Sequence, residues 1–138
     1  MSKLLRTSFS LEEPLLEQLE LLVKKRGYQN RSEFIRDLIR DQLVESEWAS
    51  DAEVVGTVTI IYDHHKRELS EKLTGLQHEH HQLVLAATHI HLSHHKCAEM
   101  IMLRGKAKDA MALADALRQQ KGVLSAGLVM SSTGDQLK

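Results

Sequence analysis

A chain of 138 residues has room for one ordinary domain or two small ones, and 42% apolar content with only 4% aromatics points to an aliphatic core. A formal net charge of −1 gives no overall electrostatic case for a polyanionic partner, so a nucleic-acid function has to rest on local arrangement. One cysteine excludes a disulfide framework and suits a reducing compartment. MSKLLRTSFS is too polar for a signal peptide and no run approaches a membrane span, so a cytoplasmic protein is expected.

From the N-terminus, Arg6-Thr-Ser-Phe-Ser-Leu11 alternates polar and apolar, which predicts a short strand with Arg6, Ser8 and Ser10 on one face and Thr7, Phe9 and Leu11 on the other. A helix follows, with Leu15, Leu16, Leu19, Leu22 and Val23 on one stripe, Pro14 in its first turn, and a Lys24-Lys25-Arg26-Gly27 stop. A second helix is capped by Asn30, has Glu33 three residues on as in a capping box, and carries Phe34, Ile35, Leu38, Ile39 and Leu43 inward. A lone strand and about 45 residues cannot bury enough surface, so this unit is expected to fold as an intertwined dimer. Residues 1–46 are read as this unit, 47–52 as an acidic linker, and 53–138 as a second domain.

The second domain reads strand, helix, strand, strand, helix, strand: Glu53 to Tyr62; Lys66 to Gln77 with Leu69, Leu73 and Leu76 inward; a hairpin of Leu83 to Leu92 and Cys97 to Leu103; Lys106 to Gln120 with Ala107, Ala110, Met111, Ala114 and Leu117 inward; and Val123 to Met130. That order predicts an α+β protein whose C-terminal half is a ferredoxin-like split βαβ (βαββαβ), with one sheet face under helices and the other free for a partner.

The hairpin carries the chemistry. With side chains alternating along a strand, His89 and His91 share a face, Ser93 to Lys96 turn, and Cys97 returns beside His91, while His78 arrives from the end of the preceding helix. A lone histidine or cysteine would read as a surface residue or a buried structural thiol. Three imidazoles and one thiolate at this spacing instead make a full ligand set for a borderline-soft divalent metal. Glu99, on the face of Cys97, is placed to orient an imidazole. His64, His80 and His81 are candidates for weaker secondary metal sites, whereas His65, His94 and His95 read as solvated loop residues.

The N-terminal unit suggests a β-ribbon that enters the DNA major groove, with Arg6, Ser8 and Ser10 toward base edges and the helix start at Asn30-Arg31-Ser32 toward a phosphate. The bland alternative is a dimerisation module that touches no DNA, and the balance of acidic and basic residues over this stretch does little to exclude it.

The segment Arg26-Gly-Tyr-Gln-Asn-Arg-Ser-Glu with Ile35-Arg-Asp, the run Gln77-His-Glu-His-His, and then Thr88-His-Ile-His and Cys97-Ala-Glu resemble the nickel-responsive transcriptional regulators of the NikR family over nearly the whole chain. The resemblance implies a ribbon-helix-helix domain followed by an ACT-type domain, and a homotetramer, a dimer of dimers, on a palindromic operator in double-stranded DNA. It also implies one Ni(II) per subunit in a square-planar site of His89, His91 and Cys97 from one subunit and His78 from its neighbour. Residues matching Lys66 and Arg67 would touch the DNA backbone, and those matching Glu33 and Asp37 would help hold a cation. Ser8 and Ser10 stand where many relatives have threonine, which removes a methyl contact to thymine and points to a different operator.

The function expected is therefore a nickel-sensing regulator, a repressor of nickel uptake, and not an enzyme. A ribbon-helix-helix repressor sensing another metal or a small molecule is the alternative. From another class, a hydrolytic zinc centre would need an open coordination position and a general base, but four protein ligands fill the metal shell and the sequence shows no convincing nucleophile-base pair.

Overall fold

The computed structural model describes residues 2–138 and contains two compact units, residues 2–43 with 136–138, and residues 44–135. In the first unit, α1 (Glu13–Lys25) begins with Pro14 in its first turn, where a missing N–H costs nothing. It ends with Gly27 in the left-handed region (φ +75°), with Gly27 N–H donating to Lys24 O and Tyr28 N–H donating to Val23 O at 3.1 and 3.0 Å. This is the Schellman closure that the basic-then-glycine stop anticipates. α2 (Arg31–Ala49) starts where Asn30 Oδ1 accepts from Glu33 N–H at 3.0 Å. Phe34 packs edge-on to Tyr28 with ring centroids 5.2 Å apart.

The first unit leaves much of its apolar stripe open. Val23 and Phe34 are buried, while Phe9, Leu15, Leu22, Leu38, Ile39 and Leu43 are exposed. The strand expected over Arg6 to Leu11 is not formed in the single chain: residues 2–11 carry no strand pairing, and Arg6, Ser8 and Ser10 are exposed. A strand exists only through hydrogen bonds to a neighbour, and no other described segment of this chain pairs with it.

The linker expected at 47–52 is a correction. α2 continues through Glu47 to Ala49, because Trp48 is drawn into the second unit's core: it is 5% exposed and its Nε1–H donates to Ser131 O at 2.8 Å. Gly56 makes room for it, since a Cβ there would stand 3.0 Å from the indole. Asp51 then turns the chain at φ 57° and its Oδ1 accepts from Lys108 N–H at 2.8 Å, capping the first turn of a distant helix.

The second unit runs β1 (Glu53–Asp63), α3 (Arg67–Glu79), β2 (Val84–His91), β3 (Lys96–Lys106), α4 (Ala107–Arg118) and β4 (Val123–Ser132). The sheet order is β2-β3-β1-β4, antiparallel throughout, which is the ferredoxin-like arrangement. β1 lies inside the sheet and alternates strictly: Val54, Gly56, Val58, Ile60 and Tyr62 are buried on the helix-covered face, and the residues between them are half-buried. α3 contributes Leu69 and Leu73 to the core; α4 contributes Ala107, Ala110, Leu113, Ala114 and Leu117. Leu113, not Met111, faces inward. Met111 is 39% exposed because three alanines, Ala107, Ala110 and Ala114, let α4 lie close to the sheet along the 107–110–114–117 row, which leaves Leu113 fully buried and Met111 at its margin. Ile90, Met100, Met102 and Val129 on the strands stay exposed. No helix among the described residues is long and apolar enough to cross a membrane.

Candidate metal centre and DNA-contact residues

The hairpin register decides which donors meet. His91 pairs with Cys97 and His89 with Glu99 across β2 and β3, and Tyr62 of β1 lies opposite Cys97, so period-2 alternation sends all five side chains to the helix-covered face. Cys97 is fully buried, Glu99 is half-buried, and both histidines reach solvent. Cys97 Sγ lies 3.4 Å from His91 Nδ1, and the rings of His89 and His91 are 5.1 Å apart between centroids. The Tyr62 hydroxyl is 3.2 Å from His89 Nδ1 and fixes that ring.

His64, two residues beyond Tyr62 on the same strand direction, joins this group. Ligand atoms of His64, His91 and Cys97 all fall within 4.8 Å of one another, and His64 Nδ1 is buried with no hydrogen-bond partner. Burial, then the neighbouring His65 and His91, push the His64 imidazole below its ordinary pKa, so it stands neutral with a lone pair to give. A buried orphan nitrogen beside a thiol and a second imidazole is a donor set that fits a borderline-soft metal ion.

His78 is not brought to this group within the chain. It is exposed near the C-terminal end of α3, on a face shared with Ser70, Glu71, Thr74 and Gly75. Glu99 makes its observed hydrogen bond to Gln77, whose Nε2–H donates to Glu99 Oε1 at 2.9 Å and ties α3 to the hairpin. Sequence reasoning passed over Gln77; its one signal is its place directly before His78. His80 Nδ1–H donates to Leu76 O at 2.9 Å and His81 Nδ1–H to His78 O at 3.2 Å, so both close the end of α3.

Burial also pushes the Cys97 thiol up, with the carboxylates of Asp63 and Glu99 adding to the shift, so it is protonated at neutral pH. A metal binds the thiolate, so loading this site must expel that proton. The apparent metal affinity is expected to rise about tenfold per pH unit through the neutral range, for one proton released. Calorimetry in buffers of different ionisation enthalpy measures the released proton; a pH-independent affinity would place the sulfur outside the site.

Of the residues expected to meet DNA, Arg6, Ser8 and Ser10 are exposed and unpaired by any strand. At the start of α2, Asn30 is engaged as the cap and Arg31 Nε holds Glu20 at 2.9 Å, while Ser32 is exposed. Lys66 and Arg67 line a depression of about 370 Å³ together with Lys72 and Lys121, a locally basic patch at the start of α3. Glu33 and Asp37 share a shallow depression with Tyr28, Arg36 and Arg40. Hydrogen bonds from Tyr28 and then Arg40 hold Asp37 below the usual carboxylate range. An incoming cation there would compete with Arg40 at 2.9 Å and Arg36 at 3.9 Å.

Two family models match this chain. The model of the NikR C-terminal nickel binding domain matches residues 55–131, and that of ribbon-helix-helix proteins of the copG family matches residues 6–46. Proteins from Geobacter sulfurreducens and Solibacter usitatus, both named as nickel-responsive regulators, are 50% and 47% identical, the first over 99% of each chain and the second over the whole of both. A third so named, from Nitratidesulfovibrio vulgaris, is 44% identical over 99% of each chain. An uncharacterized protein of Thermotoga maritima, 16% identical with a TM-score of 0.52, covers 56% of this chain and 96% of its own, a likeness of fold alone. The chain belongs to the family of nickel-responsive regulators that join a ribbon-helix-helix domain to a NikR nickel-binding domain.

Proposed function

We propose that the protein is a nickel-sensing repressor of nickel uptake, cytoplasmic and homotetrameric, that binds a palindromic operator when each subunit has taken up one Ni(II). The observation that carries this reading is the register pair of His91 and Cys97, donors 3.4 Å apart, with His89 on the same strand face and an open edge beside them. His89, His91 and Cys97 would hold the ion, with His78 of the partner subunit as the fourth donor, a set suited to planar d⁸ coordination. The exposure of His78 outside its own chain's cluster is what an intersubunit ligand requires. Gln77 and Glu99 would then transmit the state of the hairpin to α3, where Lys66 and Arg67 offer charge to the DNA backbone. The direct test is operator binding by the metal-free protein with each divalent metal in turn, where nickel should stimulate most.

A second reading has its own observation. His64 completes an in-chain trio with His91 and Cys97, which suits a metal with tetrahedral preference and a regulator sensing an ion other than nickel. Stimulation by zinc and not by nickel in the same series would select it.

For the DNA half of the reading, Arg6→Ala should weaken operator binding by about 1–3 kcal/mol if it makes a bidentate guanine contact, with nickel affinity unchanged. A mobility-shift titration on operator and scrambled duplexes reads both affinity and preference. Unaltered affinity and preference would reject the ribbon as the base reader.

A further inference from the structure

Two histidines that read as solvated loop residues meet at the rim of the second unit. β1 ends at Asp63, in register with Lys96 of β3, and just beyond it the two connections are stitched together: His64 N–H donates to His95 O at 3.1 Å. His65 N–H donates to Asp63 Oδ1 at 2.9 Å, and His95 N–H donates to Ser93 Oγ at 3.3 Å. With both backbones fixed in this way, His65 Nε2 comes to 2.8 Å from His95 Nδ1, and both rings are exposed.

At most one hydrogen can lie between those nitrogens, and two imidazoles so placed are also a chelate. Two nitrogens each about 2.0–2.1 Å from a metal and at right angles around it are about 2.9 Å apart, against about 3.3 Å for a tetrahedral pair. The observed spacing therefore matches adjacent corners of a planar or octahedral ion, with water free to fill the rest. Asp63 brings a carboxylate to the same rim, its Oδ1 already accepting from His65 N–H, and a carboxylate beside two imidazoles favours a cation there. The His64 ring, at the edge of the inner group, lies 4.3 Å from His65 and 5.6 Å from His91 between centroids.

We propose that His65 and His95 form a second, outer metal site, weaker than the Cys97 site and selective for imidazole-binding divalent ions such as Ni(II). It stands apart from the function proposed for the inner group, because neither residue is needed there.

The test is a titration of the metal-free full-length protein with Ni(II), following heat and the thiolate-to-metal absorption that only Cys97 can produce. The wild type should show a tight equivalent carrying the absorption and weaker equivalents without it. His65→Ala and His95→Ala should each remove one weak equivalent per chain and leave the absorption unchanged, since a chelate needs both rings. His94→Ala, whose ring is 6.3 Å from that of His95, should leave every equivalent in place. Because both targets are exposed, circular dichroism should show an unchanged fold. An unaltered count of weak equivalents in both variants would overturn the proposal. Loss of the absorption in the wild type would instead refute the inner nickel site and leave the outer one standing.

Discussion

Replacing Cys97 with alanine is expected to leave operator binding by the metal-free protein intact and to erase its stimulation by nickel. Coupling between two ligands through one protein is typically about 1–3 kcal/mol, so nickel should tighten operator binding of the wild type about 5–150-fold, and the variant should show no tightening. Linkage adds a second reading of the same quantity: operator DNA must tighten nickel binding by the same factor, and both effects should vanish together. Cys97 is fully buried in the sheet core, but alanine removes a single heavy atom there, so the fold should survive. His78→Ala should have the same consequence although that residue is exposed and outside the donor group of its own chain. Operator titrations with and without nickel measure both. Equal stimulation of wild type and Cys97→Ala would leave a metal-binding protein whose switch does not pass through the thiolate.

The largest effect on stability should come from Trp48→Ala. The indole is 5% exposed, packs against Gly56, and donates to the Ser131 carbonyl at 2.8 Å, so its removal opens a cavity and strands a backbone acceptor. Large aromatic truncations in a core cost about 3–5 kcal/mol, out of a total that is about 5–15 kcal/mol for an ordinary domain. Urea unfolding followed by far-ultraviolet circular dichroism measures the loss. A cost below about 1 kcal/mol would mean that the end of α2 is not part of the second unit's core, and that the acidic segment around Trp48 does behave as a linker.

Much of the candidate site was legible because it is local. Alternation alone places His89 and His91 on one face, and a short turn brings Cys97 back beside them; the register of β2 and β3 then shows His91 opposite Cys97. Helix ends were equally readable, since Asn30 as a cap and Gly27 as a left-handed stop depend only on residues within one turn of themselves. Where the expectation departed from the structure, the deciding partner was remote in sequence. The acidic run at 47–52 reads as linker until the Ser131 carbonyl and the space over Gly56 claim Trp48. Leu113 rather than Met111 faces the sheet because strand packing, not helical period, sets which edge of the stripe is covered.

The histidines divide along the same line. Spacing within the hairpin marked those whose neighbours are a few residues away. His64 beside His91 and Cys97, and His65 against His95, depend on β1 ending next to the β2–β3 turn, a meeting about 30 residues apart in the chain. The sequence by itself determined the element order of the second unit, the caps at Gly27 and Asn30, and the face each hairpin residue takes, because these follow from backbone period and steric preference over a few residues. The tertiary structure alone decided which surface rings come within bonding distance, how far α2 runs, and that the Arg6 to Leu11 segment has no strand partner among the described residues of its own chain, because each depends on hydrogen bonds and contacts between segments that local pattern cannot pair.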